Sequence, residues 1–130
     1  MTDQSQRGDD PISVANRWIE AYNAKDLDTI RSLCGESIRL EHHNRGVVLE
    51  GPDAVVGLIE QFTSLGPDRA FHSTRRQFTD GDQVVTEQSW GFTAATDVPG
   101  FAAAGERFDT DLACIWTVRN GQIVDYHDYG

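Results

Sequence analysis

The chain predicts an α+β fold on an antiparallel sheet, and three observations carry that reading. Apolar residues recur at helical spacing early in the chain, with Ile12, Ala15, Trp18, Ile19 and Tyr22 forming one such face. The later part alternates instead and is punctuated by Asp80-Gly81 and Asn120-Gly121, dipeptides that favour tight hairpin turns. The closing segment, Phe108 to Gly130, ends in Asp125, Tyr126, His127, Asp128 and Tyr129. Ionisable groups thus crowd a strand that should be largely buried. Burying charge is costly unless the charge is paired or used, so this strand points to a pocket.

Met1 to Asp10 is polar and aperiodic, and reads as a mobile tail over residues 1–10. Residues 11–130 read as a single domain. Asp10-Pro11 is an N-cap followed by proline at the first helical position, which opens the first helix. Asp26 caps a short second helix through Leu27, Ile30 and Leu33, with Gly35 as its stop. Ser37 to His43 alternates as a strand, Ile38 and Leu40 on one side and Arg39 and Glu41 on the other. Val47 to Leu49 is a short second strand. Gly51-Pro52-Asp53 opens a third helix carrying Val55, Val56, Leu58, Ile59 and Phe62, which Gly66-Pro67 closes. Four strands follow: Phe71 to Phe78, Gln83 to Phe92, and the two strands of the closing segment. The Gly/Ala-rich stretch from Ala94 to Gly105 reads as a long hairpin loop, either a lid over the pocket or a plain connection.

A length of 130 residues is enough for one real core. The net charge of −10 leaves no basic surface to neutralise phosphates, which argues against nucleic acid and anionic membranes as partners. No apolar run is long enough to span a bilayer and no signal-peptide pattern is present, so a cytoplasmic protein is expected. Cys34 and Cys114 form no CxxC pair and read as buried free thiols.

Three phrases carry a resemblance: RWIEAYNAKDLDTIRSLCGESIRLEHH from Arg17 to His43, EGPDAVVGLIEQF from Glu50 to Phe62, and VRNGQIVDYHDYG from Val118 to Gly130. In order and spacing they resemble the nuclear transport factor 2-like superfamily, which includes SnoaL-like polyketide cyclases, ketosteroid isomerases and limonene epoxide hydrolases. The resemblance implies a cone-shaped, curved antiparallel or mixed sheet with three N-terminal helices enclosing a deep pocket. It also implies a homodimer through the outer sheet face. The strand pattern suggests an apolar outer face made of Phe108, Leu112, Cys114, Trp116 and Val118, with Asp109, Asp111, Ala113, Ile115 and Thr117 opposite.

The superfamily hosts several chemistries, and the sequence departs from two of them. Against the ketosteroid isomerase pattern, the helix tyrosine falls on Trp18, the base on His42 and the protonated acid on Ala113. Against the epoxide hydrolase pattern, the arginine and first aspartate fall on Gln88 and Trp90, while the second aspartate matches Asp128. The SnoaL-like cyclases need only an acid–base residue beside an apolar pocket. The candidates are His42, Asp111 and Asp128, with Asp128 or Asp111 fixing the histidine tautomer. Trp18, Tyr22, Leu40, Gln88, Trp90 and Tyr126 are the candidate ligand contacts.

The implied activity is a cofactor-independent isomerase, cyclase or hydrolase moving a proton on a small hydrophobic molecule. The alternative is a non-catalytic hydrophobic-ligand-binding or dimeric interaction module of the same fold. Each candidate also has a structural reading. His42 can be a hydrogen-bonded strand-end histidine, and Asp109 and Asp111 can be edge charges paired with Arg75, Arg76 or Arg107. No metal is expected: His42 and His43 are adjacent on a strand, point apart, and lack a second histidine pair.

Overall fold

The computed structural model describes residues 10–130. Of the expected tail, residues 1–9 lie outside the described residues, and Asp10 belongs to the fold. Its side chain accepts from the Ser13 amide at 2.8 Å and caps helix α1, Pro11–Ala24. Lys25 closes that helix in the left-handed region. Asp26 caps α2, Leu27–Leu33, by accepting from the Thr29 amide at 3.1 Å.

Strand β1, Cys34–His42, follows α2 without a loop, so Gly35 lies inside a strand and does not stop the helix. A Cβ there would sit 3.0 Å from Val124 Cγ1 and 3.2 Å from the Ile123 carbonyl oxygen. Glycine at this position permits close approach of a neighbouring strand, a use that local sequence does not distinguish from a helix end. A 3-10 turn at His43–Arg45 leads to β2, Val47–Glu50, and Pro52 then starts α3, Pro52–Leu65. The remaining strands are β3 (Ala70–Asp80), β4 (Gln83–Thr93), β5 (Arg107–Arg119) and β6 (Gln122–Tyr129). Both central residues of the β5–β6 turn, Asn120 and Gly121, have positive φ, as a type I′ hairpin requires.

The six strands form one curved, mixed sheet in the order β2-β1-β6-β5-β4-β3. Every neighbouring pair is antiparallel except β1 and β6, which run parallel. That one pairing sets His42 beside Asp128, Glu41 beside His127 and Leu40 beside Tyr126. It therefore decides which side chains from opposite ends of the chain share a face.

The helices cover one face of the sheet, and the core lies between them. Trp18 on α1 meets Trp116 on β5 edge to face, centroids 6.1 Å apart, with Val14, Ile30, Ile38, Val55 and Ile123 packed around them. Aromatic pairs of this geometry add about 0.5–1.5 kcal/mol beyond the area they bury.

This placement reverses one expectation. Leu112, Cys114, Trp116 and Val118 are buried under the helices, and Phe108 packs on a second buried cluster. The apolar face of β5 is the inner one. Alternation separates two faces of a strand but does not say which one the helices cover. The outer face instead carries Asp109, Asp111, Ala113 and Ile115. Across it runs a short apolar row in register, Phe78 to Val85 to Ile115, with Phe78 54% exposed.

The connection between β4 and β5 is pinned by a bridge from Val98 to Ala102. Its Phe101 stacks edge-on against Phe62, Phe92 and Phe108. Cys34 and Cys114 are both buried and free.

Candidate active site

A cavity of about 190 Å³ opens between α1, α3 and the inner face of the sheet. A dry engineered void of about 150 Å³ already admits benzene, so there is room for a compact ring system. Trp18, Tyr22, Leu40, Trp90 and Tyr126 line it, as do His42 and Asp128. Two sequence candidates lie elsewhere.

Asp111 is on the outer face, its side chain 66% exposed, paired with Arg75. The expectation that Asp111 is a pocket acid fails with the face assignment of β5, and the edge-charge reading describes it. Gln88 is on the inner side but is not among the lining residues. It is 1% exposed, pairs in register with Leu112, and neither atom of its amide has a partner among the described residues. The expectation that Gln88 contacts ligand is therefore corrected: it is packed into the core rather than into the cavity wall. Ala113 likewise faces outward, so the inward positions nearest the isomerase acid are Leu112 and Cys114.

At the polar end of the cavity, His42 Nδ1 lies 2.8 Å from Asp128 Oδ2. The same oxygen accepts from the Tyr126 hydroxyl at 3.0 Å, and that hydroxyl lies 3.3 Å from Cys114 Sγ. An ionised carboxylate only accepts, so the His42 nitrogen facing Asp128 carries the N–H. The other ring nitrogen, Nε2, has no protein partner among the described residues. Strand alternation explains the placement: Leu40 and His42 on β1 point inward with Tyr126 and Asp128 on β6. Burial holds the Tyr126 phenol well above its ordinary pKa and pushes the Cys114 thiol up to about 12, so both stay protonated.

Facing this pair, the Trp90 indole donates to the Tyr22 hydroxyl at 2.8 Å. Burial raises the Tyr22 pKa, and Arg69 partly offsets the rise. The Tyr22 proton remains free to donate, since its oxygen is the acceptor in the bond from Trp90. Arg69 is 1% exposed, with its guanidinium 4.0 Å over the Tyr22 ring. It donates to the Tyr22 carbonyl at 2.6 Å and to Thr63 Oγ1 at 3.0 Å, fixing the end of α1 against α3.

The sequence reading did not single out Arg69, Arg45, Phe71, Thr110 or Phe101 for this site. Arg45 lines the cavity, stacks 4.0 Å over Phe101 and donates to the Gly100 carbonyl at 3.0 Å. No local signal marks Arg45, Arg69, Phe71 or Phe101, each from a turn, a loop or a strand start, while Thr110 shares the β5 face of Phe108 and Leu112. The α3 residues Val55, Ile59 and Phe62 were legible as an apolar helix face, though not as cavity wall.

A family model for the SnoaL-like domain matches residues 15–126. The chain belongs to that family. Solved structures share the fold at low identity. A proposed polyketide cyclase from Xanthomonas campestris pv. campestris superposes with a TM-score of 0.82 at 19% identity, covering 98% of this chain and 93% of that one. A proposed polyketide cyclase from Streptomyces antibioticus gives 0.77 at 21%, covering 91% and 89%. An LEH-like epoxide hydrolase from M. tuberculosis gives 0.75 at 18%, covering 92% and 80%. Among curated proteins none matches the sequence.

Proposed function

We propose that this SnoaL-like protein moves a proton on a compact, hydrophobic, carbonyl-bearing molecule, in an isomerisation, cyclisation or hydration. The observation that carries the reading is the His42–Asp128 pair at 2.8 Å in a mostly apolar cavity. Asp128 holds the imidazole with Nδ1–H inward, which leaves Nε2 as a base. Nε2 takes a proton from the carbon next to the carbonyl. The imidazolium that forms is stabilised by Asp128 and returns the proton elsewhere on the substrate. The negative charge that develops on the carbonyl oxygen needs a donor, and we assign that part to the Tyr22 hydroxyl, which lines the cavity and accepts from Trp90. Trp18, Leu40 and Trp90 supply flat apolar walls. All of these groups belong to the chain, so the proposed chemistry requires no cofactor.

The direct probe is 2-tetralone, a compact bicyclic ketone, followed by NMR for exchange of its α-protons in D₂O. The wild type is expected to accelerate exchange. His42→Ala is expected to lose about 100-fold or more of that acceleration, the usual scale of a positioned base. Asp128→Asn is expected to lose at least about tenfold, because the amide no longer fixes the tautomer. Unchanged exchange in both variants overturns the assignment. Saturable binding of 2-tetralone without exchange in the wild type identifies a binding module instead.

The outer-face row Phe78, Val85 and Ile115 fits a second copy of this chain, which would remove it from water. Light scattering at micromolar concentration should read a dimer, and a monomer there contradicts this. Two buried unpaired cysteines fit a reducing cytoplasm, and no helix among the described residues is long and apolar enough to cross a membrane.

A further inference from the structure

We propose that Glu41, His43 and His127, on the outer face of β1 and β6, form a binding site for a divalent transition ion of the zinc class. The site is separate from the cavity and does not depend on its chemistry. Parallel pairing places Glu41 directly beside His127, both pointing away from the helices, and the turn after β1 brings His43 over them.

The cluster brings two imidazoles and two carboxylates together. His127 Nε2 lies 2.8 Å from Asp125 Oδ2, and His43 Nδ1 lies 3.4 Å from Glu41 Oε2. These are ion-pair contacts and do not fix the tautomers. The two remaining nitrogens, His43 Nε2 and His127 Nδ1, share a hydrogen bond at 2.8 Å. A divalent ion that displaces the bridging proton meets a lone pair on each ring, with carboxylates beside both to balance its charge.

The arrangement fits a metal in three further respects. One ligand atom each from Glu41, His43 and His127 lies within 4.8 Å of the others. Tetrahedral zinc with bonds of about 2.0–2.1 Å to nitrogen spaces its ligands about 3.3 Å apart, so the two nitrogens need to separate by only about half an ångström. Glu41 Oε1, now 4.0 Å from His127 Nδ1, closes by less than about 1 Å to reach the same spacing. Asp125 behind His127 is the carboxylate that metal-bound histidines ordinarily carry on their other nitrogen. Tyr129 stacks on the His43 ring at 4.2 Å and steadies it. The three side chains are each about a quarter exposed, which leaves an entry path for an ion. The competing cation is Arg39, which donates to Glu41 Oε1 at 3.0 Å and has to yield that oxygen to the metal.

The test is a calorimetric titration of the untagged full chain, stripped with chelator, using ZnCl₂, with CoCl₂ absorbance as a second reading. One Zn²⁺ per chain at micromolar affinity or tighter is expected, together with a tetrahedral Co²⁺ spectrum. His127→Ala and Glu41→Gln should each weaken binding at least about tenfold, and Asp125→Asn about 10–100-fold, the range for a partner behind a ligand. His72→Ala, a histidine on β3, should leave it unchanged. Far-UV circular dichroism establishes that each variant is folded, and Glu41→Gln keeps the test decisive if His127→Ala is not. A flat isotherm overturns the proposal and shows that the two rings hold only their shared proton. Binding that survives both variants also overturns it.

Discussion

His42 and His43 are neighbours in sequence, yet they live in different chemical worlds. His42 points inward with Asp128, and His43 points outward with His127, from the same pair of strands. On the inner side one carboxylate serves one imidazole, and the second ring nitrogen has no partner among the described residues. On the outer side each imidazole lies beside a carboxylate, and the two rings hydrogen-bond to each other near solvent. The same residue types give a histidine–carboxylate pair lining the cavity on one face and a hydrogen-bonded histidine pair on the other. Strand alternation and one parallel pairing make the difference, with no change in composition.

The contrast between faces should be largest in stability at β5. Trp116 is fully buried against Trp18 and Tyr126. Trp116→Ala is expected to cost about 3–5 kcal/mol in urea unfolding. Its neighbour Ile115 faces outward and is only partly buried, and Ile115→Ala should cost about 1 kcal/mol in the monomer, since part of its area stays in water on folding. Comparable losses at the two sites would break the face assignment. A smaller effect of opposite sign is expected at Gln88, whose amide is buried with both atoms unpartnered. Gln88→Met should raise stability by about 1 kcal/mol, because an apolar chain of similar shape removes a desolvated amide. A loss there would mean that the amide is satisfied in solution.

Much of this was legible before any coordinates. The caps at Asp10 and Asp26 and the Asn120-Gly121 turn are local devices, and local sequence states them directly. His42 is legible through the resemblance, and Asp128 through the resemblance together with strand parity beside Tyr126; the contact between them spans 86 residues. What stayed hidden has one cause: pairing between distant strands. The side of β5 covered by helices is a tertiary choice, and reading it the wrong way round put Asp111 in the pocket and Trp116 on the surface. The outer histidine pair was hidden for the same reason. His43 and His127 are 84 residues apart, and nothing near either one names the other. Considering only adjacent His42 and His43 correctly separates those two but leaves out the cross-strand partner.

The central claim is that the acid–base work belongs to the inward pair. The most direct measurement sets two candidates of the sequence side by side: α-proton exchange of 2-tetralone by His42→Ala and by Asp111→Asn at equal concentration of folded protein. His42→Ala should fall about 100-fold or more below the wild type, while Asp111→Asn, exposed and paired with Arg75, should stay within about twofold. Equal losses in the two variants, or a loss confined to Asp111→Asn, would contradict the account.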